Sequence, residues 1–353
     1  MPGHLAPHPK RPFKPVSQTQ IAHFEDPFNP TPKRLAALID TRRELLDGLA
    51  AHPEWAQAEA ELSNILKAVL NAGCLQLVRI DRHTPTPVID QIVKYEAVHR
   101  IRDSRDLDRR MADDRRCYGL FHPALPDEPL IFTELALTRG MSSNAQALLD
   151  PEAPTVDPST CTCAIFYSIS SCHEGLRGVP LGNALIGRVA DELTSVFPRL
   201  QTFATLSPVP GFRSWLASLA ESEDAGPART SAASTLIGLA RSDWGADAGA
   251  CAELERQLVP LCAYYLLHVR RGGDPADPVA RFHLRNGARL DRINWLSDSS
   301  TAGMRRSAGL MVNYVYRCND PHRAHHASTA TRDVHASPQV QQLAGQASSL
   351  FCH

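Results

Sequence analysis

The sequence predicts an α+β fold in which an N-terminal helical domain precedes a domain that combines a sheet with helices. Three observations support this prediction. Residues 31–97 carry apolar stripes at helical spacing. Several short apolar runs after residue 97 have the length of buried strands. Residues 163–206 then read as a strand, a glycine-rich loop, a helix and a second strand, which is the pattern of a parallel βαβ unit.

The composition is that of a globular protein with a substantial core, because 43% of the 353 residues are hydrophobic. A formal net charge of −1 provides no general attraction to nucleic acid or to an anionic membrane surface. No apolar run approaches the roughly 20 residues that a membrane helix needs. The N-terminal segment also lacks the apolar centre of a secretory signal. We therefore expect a cytoplasmic protein with neither nucleic-acid nor membrane partners.

The nine cysteines are scattered along the chain, and their number is odd. In a chain of this length without a secretion signal, such cysteines are expected to be reduced thiols. Cys161, Cys163, Cys172 and His173 lie close in sequence, but their spacing matches no zinc-ligand pattern. We favour thiols over a zinc site and expect no metal.

Residues 1–30 are rich in proline and histidine and are predicted to be a disordered tail. Residues 31–97 are predicted to be a helical domain of the packing or oligomerisation type. Its first helix begins at Thr31 as N-cap, with Pro32 in the first turn. Its second helix follows Pro53 and ends at Gly73. A third helix is predicted over residues 85–98.

Residues 98–318 are predicted to form the second domain, and residues 319–353 a polar, poorly ordered tail. Serine, alanine, glycine and aspartate dominate residues 221–250, which indicates an insertion on the surface. Strands are predicted at 118–121, 130–138, 163–170, 200–206 and 310–316. Helices are predicted at 104–116, 183–197, 251–269 and from Asp277-Pro278, an N-cap and first-turn proline, to about 286.

Ser207 lies where the strand that begins near Leu200 meets Pro208 and Pro210. The two prolines lack backbone donors, so the strand is predicted to stop there. Ligands of open α/β sheets bind at the carboxyl ends of the strands, which makes Ser207 a candidate site residue. The alternative is that Ser207 only starts a turn.

The loop from Gly175 to Gly182 opens onto a predicted helix N-terminus, where backbone N–H groups and the helix dipole favour phosphate. Arg177 adds a positive charge. The glycine spacing matches neither a Walker loop nor a dinucleotide fingerprint, so a plain turn is the alternative.

His283 is flanked by Phe282 and Leu284 on a predicted helix, and is either a core histidine or a proton-transfer group. Tyr314 and Tyr316 on the last strand either offer hydroxyl groups or fill space. Among the possible pairs of a serine with a histidine, Ser207 with His283 is the pair in which both residues lie at the ends of predicted secondary-structure elements. No acidic third partner stands out, so a hydrolase triad is not indicated.

Seven ordered motifs between about Pro32 and Tyr316 resemble the malonyl-CoA decarboxylase family. They read YEAVHRIRD, RRCYGLFHPALPDEPLIFTELALT, CAIFYSIS, GLRGVPLGN, TLSPVPGFRSWL, DPVARFHLRNGARLDRINWLSD and SAGLMVNYVY. The resemblance implies a helical domain followed by a GNAT-type acyltransferase-like catalytic domain that decarboxylates malonyl-CoA to acetyl-CoA and CO2. The CoA thioester is then the substrate, no cofactor is expected, and the chain is expected to be a homo-oligomer, a dimer or a tetramer.

The resemblance places the family's catalytic serine on Ser207 and its catalytic histidine on His283. It also places an active-site tyrosine on Tyr316, and we add Asn286, from the motif that contains His283, as a candidate. The family's CoA-contacting loop falls on Arg177, Gly178, Val179, Pro180, Leu181, Gly182 and Asn183.

Two features depart from the family pattern. Pro180 stands where many relatives carry an acidic residue. Fewer helices precede Pro32 than is usual, so the helical domain is expected to be truncated. The alternatives to a decarboxylase are a GNAT-type acyl-CoA N-acyltransferase and an inactive acyl-CoA-binding protein.

Overall fold

A mixed sheet of eight strands organises the chain in the computed structural model, which describes residues 30–71, 73–241, 244–245, 247–316 and 334–351. The strands of this sheet are β1 (Gln76–Ile80), β2 (Arg115–Phe121), β3 (Ile131–Thr138), β4 (Cys163–Ser171), β5 (Thr202–Thr205), β6 (Ser207–Pro208), β9 (Arg289–Asn294) and β10 (Met311–Tyr316). A separate two-stranded ribbon contains β7 (Arg270–Arg271) and β8 (Asp274–Pro275).

Helices cover both faces of the sheet. They are α1 (Pro32–Gly48), α2 (Ala56–Val69), α3 (Thr86–Tyr95), α4 (Ser104–Arg110), α5 (Ala145–Leu149), α6 (Leu181–Val196), α7 (Phe212–Glu221), α8 (Gly226–Ala240), α9 (Ala248–His268), α10 (Pro278–Arg285), α11 (Thr301–Ser307) and α12 (Pro338–Ser348). Among the described residues, no helix combines the length and the apolar character that a membrane span requires. The predicted α+β fold with helices at its N-terminus is confirmed.

Strands β1 to β4 form antiparallel pairs, and β5 lies parallel to β4. Helix α6 makes the crossover from β4 to β5, as the βαβ pattern predicted. Strand β10 lies beyond β5 and is antiparallel to β5, to β6 and to β9. Because β5 and β6 follow one another along the same edge of β10, the short break between them falls in the interior of the sheet.

Alternation along the strands creates a core on each face of the sheet. On β4, Ala164 and Phe166 enter the larger core, whereas Cys163 and Ile165 enter a smaller one. The larger core contains the inner faces of α1, α2, α6, α9 and α12. The candidate site residues belong to this face, because Tyr314 and Tyr316 of β10 are part of the same core.

The boundary between α4 and β2 differs from the prediction. The predicted helix over 104–116 ends at Arg110, and strand β2 already begins at Arg115. The run of charged residues is typical of an exposed helix. Instead, Arg109 and Arg115 are buried and paired with Asp114. Paired guanidinium groups therefore replace apolar residues where β2 begins.

The segment 31–97 is not wholly helical as predicted, because β1 inside it pairs with β2 at the edge of the sheet. The first two helices begin as expected at Pro32 and after Pro53, although Thr31 makes no side-chain cap. The second helix ends at Val69 rather than at Gly73.

The predicted surface insertion contains α8, in which Ala228, Ala232 and Thr235 are buried and the other residues are partly or fully exposed. One further expectation is wrong where the structure describes the residues. The predicted C-terminal tail contains α12, which packs against α9 and β9 and is followed by Phe351, stacked on Tyr264 at 3.9 Å between ring centroids. Residues 1–29 and 317–333 of the predicted tails lie outside the described residues.

Candidate active site

Ser207 lies where two parallel strands separate. Strands β4 and β5 are paired from Cys163 and Thr202 to Phe166 and Thr205, and the N–H of Leu206 donates the last bond, to Phe166 O at 3.0 Å. Beyond this point β4 continues beside β3, while Ser207 pairs with Val312 of β10. The serine is therefore at the start of a second short strand at the opening between β4 and β5.

His283 reaches this opening from α10. Asp277 caps the helix by accepting from the N–H groups of Val279 and Ala280, and Pro278 occupies the first turn, both as predicted. The helix ends at Arg285 with Asn286 as its C-cap, and the following Gly287 adopts a positive φ of 78°. His283 is on the inward face of this short helix and is only 3% exposed.

The hydroxyl of Ser207 and the imidazole of His283 are hydrogen-bonded, with 2.9 Å between Oγ and Nε2. Ser207 Oγ also donates to Thr205 Oγ1 at 2.9 Å. The oxygen of Ser207 then accepts a hydrogen bond from the N–H at Nε2 of His283. This assignment leaves Nδ1 of His283 as an acceptor for the Tyr316 hydroxyl, 2.8 Å away. The buried polar groups form a line from Tyr316 through His283 to Ser207 and Thr205.

Burial keeps His283 neutral. Desolvation lowers the pKa of its imidazole from the ordinary value of 6.5 to about 3. A neutral imidazole has one N–H that donates and one lone pair that accepts, so it can pass a proton from one nitrogen to the other while it stays uncharged at rest. The site is therefore prepared for proton transfer at neutral pH.

Two tyrosines of β10 have different roles around the imidazole. The ring of Tyr314 stacks on His283 with 4.6 Å between centroids and 25° between planes. Its hydroxyl is buried and has no hydrogen-bond partner among the described residues. Tyr316 instead uses its hydroxyl, so the alternative that it only fills space does not hold.

The loop of Gly175 to Asn183 lies at the N-terminus of α6, which begins at Leu181. Arg177, Gly178 and Pro180 are exposed, and Arg177 pairs with Glu174 at 2.6 Å on the surface. The side chains of Val179 and Leu181 belong to the core. The backbone N–H groups of those two residues are already used, because Val179 N donates to Leu176 O at 3.0 Å and Leu181 N donates to Val179 O at 2.8 Å.

Close packing at Gly182 connects this loop to the helix of His283. A Cβ atom at Gly182 would lie 2.3 Å from Cζ of Phe282 and 3.3 Å from Nδ2 of Asn286. Only glycine permits this approach of α10 to the N-terminus of α6. Asn286 is therefore beside the loop, whereas its neighbour His283 contacts Ser207.

Two polar features of the site were not predicted from the sequence: the contacts of Thr205, and a second contact of Asp277 beyond its predicted helix cap. Thr205 accepts from Ser207 and also from the N–H of Tyr314, at 3.2 Å. Asp277 accepts with its second oxygen from Gly211 N at 3.0 Å, so one carboxylate joins the start of α10 to the turn after Ser207. The alternation on β5, which turns Thr205 and Ser207 to the same side, was a usable signal for Thr205.

No carboxylate is hydrogen-bonded to His283 in the described part of the chain, so the arrangement differs from a hydrolase triad. Nor do the described residues contain three histidine, cysteine or acidic side chains grouped as metal ligands. The chemistry available here is proton exchange through hydroxyl and imidazole groups in a dry setting.

Comparison with known proteins places the chain in one family. Residues 73–350 match the model of the malonyl-CoA decarboxylase C-terminal domain. The mitochondrial malonyl-CoA decarboxylase of Anser anser anser is 39% identical over 336 residues, which are 88% of this chain and 67% of the relative. The rat protein of the same name is 34% identical over 333 residues, 88% of this chain and 68% of the relative.

Solved structures agree with this assignment. The malonyl-CoA decarboxylase of Rhodopseudomonas palustris has 43% identity and a TM-score of 0.80, over 87% of this chain and 75% of that one. The enzyme of Agrobacterium vitis has 40% identity and a TM-score of 0.81, over 88% and 76%. The chain belongs to the malonyl-CoA decarboxylase family.

Proposed function

We propose that the protein decarboxylates malonyl-CoA to acetyl-CoA and CO2, with Ser207 and His283 as the catalytic dyad. The observation that carries the assignment of residues is the buried hydrogen bond of 2.9 Å between Ser207 Oγ and His283 Nε2. Family membership supports the reaction and the substrate.

The first chemical step breaks the bond between the carboxylate carbon and the methylene carbon of the malonyl group. The electron pair of that bond moves into the thioester, which becomes an enolate as CO2 leaves. Charge grows on the thioester oxygen, and an oriented donor in a dry pocket is worth about 3–4 kcal/mol at this stage. Ser207 rotates its hydroxyl from Thr205 towards this oxygen and supplies such a donor.

The second step protonates the methylene carbon of the enolate. Ser207 gives its hydroxyl proton to carbon and takes the Nε2 proton of His283, or His283 delivers that proton directly. The lone pair on Nδ1 faces the Tyr316 hydroxyl, which gives its proton to Nδ1 as Nε2 loses one. After product leaves, a solvent proton reaches Nε2 and the Nδ1 proton returns to Tyr316, which restores the resting tautomer. Solvent finally supplies the one proton that the overall reaction consumes. No acyl-enzyme is formed, which agrees with a serine that has no carboxylate-backed base.

The loop from Arg177 to Asn183 is proposed to hold the CoA portion. Its glycines and the first turn of α6 offer backbone N–H groups to the diphosphate. Because Gly182 packs against Phe282, a CoA molecule on this loop lies next to the helix that carries His283. The pantetheine arm then extends towards the opening between β4 and β5.

The test measures acetyl-CoA and CO2 from malonyl-CoA with the purified protein and with Ser207→Ala and His283→Asn. A positioned acid typically contributes 100- to 10,000-fold, so each variant is expected to lose at least about 100-fold in kcat. The exposed Ser214 and His268 provide matched controls, Ser214→Ala and His268→Asn, which are expected to keep wild-type turnover. Near-normal turnover in either dyad variant would refute the dyad.

The same assay separates the alternatives. Acyl transfer to an amine without CO2 release would favour an N-acyltransferase, and binding of malonyl-CoA without any product would favour an inactive binding protein.

A further inference from the structure

The N-terminal helices reach the CoA loop through one buried arginine. Arg42 lies on α1, and its side chain is 4% exposed. Nη1 donates to the carbonyl oxygen of Gly175 at 2.6 Å, and Nη2 donates to that of Arg177 at 2.7 Å. Glu59 of α2 accepts from Nε at 3.0 Å and from Nη2 at 2.7 Å. One planar guanidinium thus joins α1 and α2, which together form the N-terminal helical hairpin, to the loop.

The backbone of the loop fits closely against α1. A Cβ atom at Gly175 would lie 2.0 Å from the carbonyl oxygen of Ile39, so the chain approaches the helix more closely than any side chain allows. The loop is therefore built on the hairpin.

The carbonyl oxygen of Arg177 belongs to the central peptide of a tight turn. Val179 N donates to Leu176 O at 3.0 Å, Arg177 has φ −53° and ψ 125°, and Gly178 has φ 81°. These angles define a type II turn, which differs from type I by a flip of the central peptide. The flip would turn the N–H of Gly178 towards Arg42 and remove the acceptor that the guanidinium uses.

The same peptide plane fixes a donor on its opposite edge. In a trans peptide the C=O and the N–H point in opposite directions. Because Arg177 O points at Arg42, the N–H of Gly178 points away from the hairpin. No described residue accepts a hydrogen bond from this N–H. It lies on an exposed glycine, two residues before Pro180 and the first turn of α6.

We propose that Arg42 is a positioning residue for CoA: it locks the turn at Gly178 in the orientation that presents this N–H to the diphosphate. The inference rests on the proposed function in so far as that function assigns the loop to CoA. It makes the helical hairpin part of the substrate-binding apparatus, although Arg42 itself touches no substrate.

The test compares Arg42→Met with wild type in two measurements. The Kd of free CoA, from calorimetry, is expected to rise about 10- to 100-fold. Without the guanidinium the turn no longer holds the N–H of Gly178 towards CoA, so the hydrogen bond from this N–H to the charged diphosphate is lost. In turnover assays the KM of malonyl-CoA is expected to rise by the same factor while kcat stays within about three-fold. Malonyl-pantetheine lacks the diphosphate, so its KM is expected to be unchanged by the substitution. The neighbouring Arg43, exposed and paired with Asp40, gives the matched control Arg43→Met.

Gly178→Ala covers the case in which Arg42→Met does not fold. It leaves the guanidinium and Glu59 in place but makes the positive φ of the turn costly. The same selective rise in the Kd of CoA and in the KM of malonyl-CoA is expected.

An unchanged Kd for CoA in the folded variants, or an equal loss with malonyl-CoA and malonyl-pantetheine, would overturn the inference. Failure of the proposed function has a different signature, because wild-type protein would then bind CoA but release no CO2 from either malonyl thioester. The Kd of CoA in wild type and variants decides the role of Arg42 in both cases.

Discussion

Replacing Tyr316 by phenylalanine removes the hydroxyl that is hydrogen-bonded to Nδ1 of His283 and leaves the ring in place. The bond is 2.8 Å long and buried, so the variant strands a polar nitrogen away from water. Such a loss costs about 1–3 kcal/mol. If the full cost falls on the protonation step, where the imidazole must regain a proton through Nδ1, kcat decreases about 5- to 150-fold. The KM of malonyl-CoA is expected to change little, because the hydroxyl lies behind the imidazole as seen from Ser207.

Tyr314→Phe is the matched control on the same strand. Its hydroxyl is also buried and has no partner among the described residues, whereas its ring stacks on His283. Removal of this hydroxyl is expected to change kcat by less than about two-fold and to leave the free energy of unfolding equal or higher. Steady-state turnover of malonyl-CoA with both variants provides the measurement. Wild-type kcat in Tyr316→Phe, or an equal loss in Tyr314→Phe, would show that the hydroxyl of Tyr316 does not serve the imidazole.

Three further predictions concern stability. Asp277→Ala removes a helix cap and an acceptor for a second segment, so the free energy of unfolding in urea is expected to fall by about 1–3 kcal/mol; Asp277→Asn, which keeps a capping oxygen, should lose less. Because the folded pKa of His283 is about 3 and the unfolded value is 6.5, only the unfolded chain binds this proton between those values, and stability falls as the pH drops below 6.5. From pH 7.5 to pH 5, wild type should lose about 2 kcal/mol more than His283→Asn, and equal losses would contradict the shift. Val340→Ala removes two methyl groups from a fully buried side chain of α12 and should cost about 2 kcal/mol in the same assay, whereas an unchanged midpoint would show that α12 does not stabilise the fold.

The sequence predicted the elements that carry the site because each has strong local signals. Apolar runs mark β4 and β10, and Asp277-Pro278 marks the start of α10. The pairing of Ser207 with His283 came from the family resemblance together with their places at element ends. Periodicity alone does not reveal which side chains meet across 76 residues of chain.

The expectations that failed have physical causes in particular residues. Helix α12 was missed because its buried positions are occupied by Val340, Ala344 and Ala347, whose spacing is helical but whose apolar surface is small. Strand β2 was shortened because paired arginines stand where apolar residues are usual. The predicted homo-oligomer and the cytoplasmic location stay predictions.

The position of β10 inside the sheet determines when the site is completed during synthesis. This strand pairs with β5 and β6 on one side and with β9 on the other, yet it is made roughly a hundred residues after β5. Until it inserts, Ser207 lacks the neighbour that fixes its backbone and His283 lacks both tyrosines. A nascent chain arrested before residue 311 therefore contains Ser207 and His283 but none of the β10 contacts that hold them, and the site is completed only when the last strand inserts.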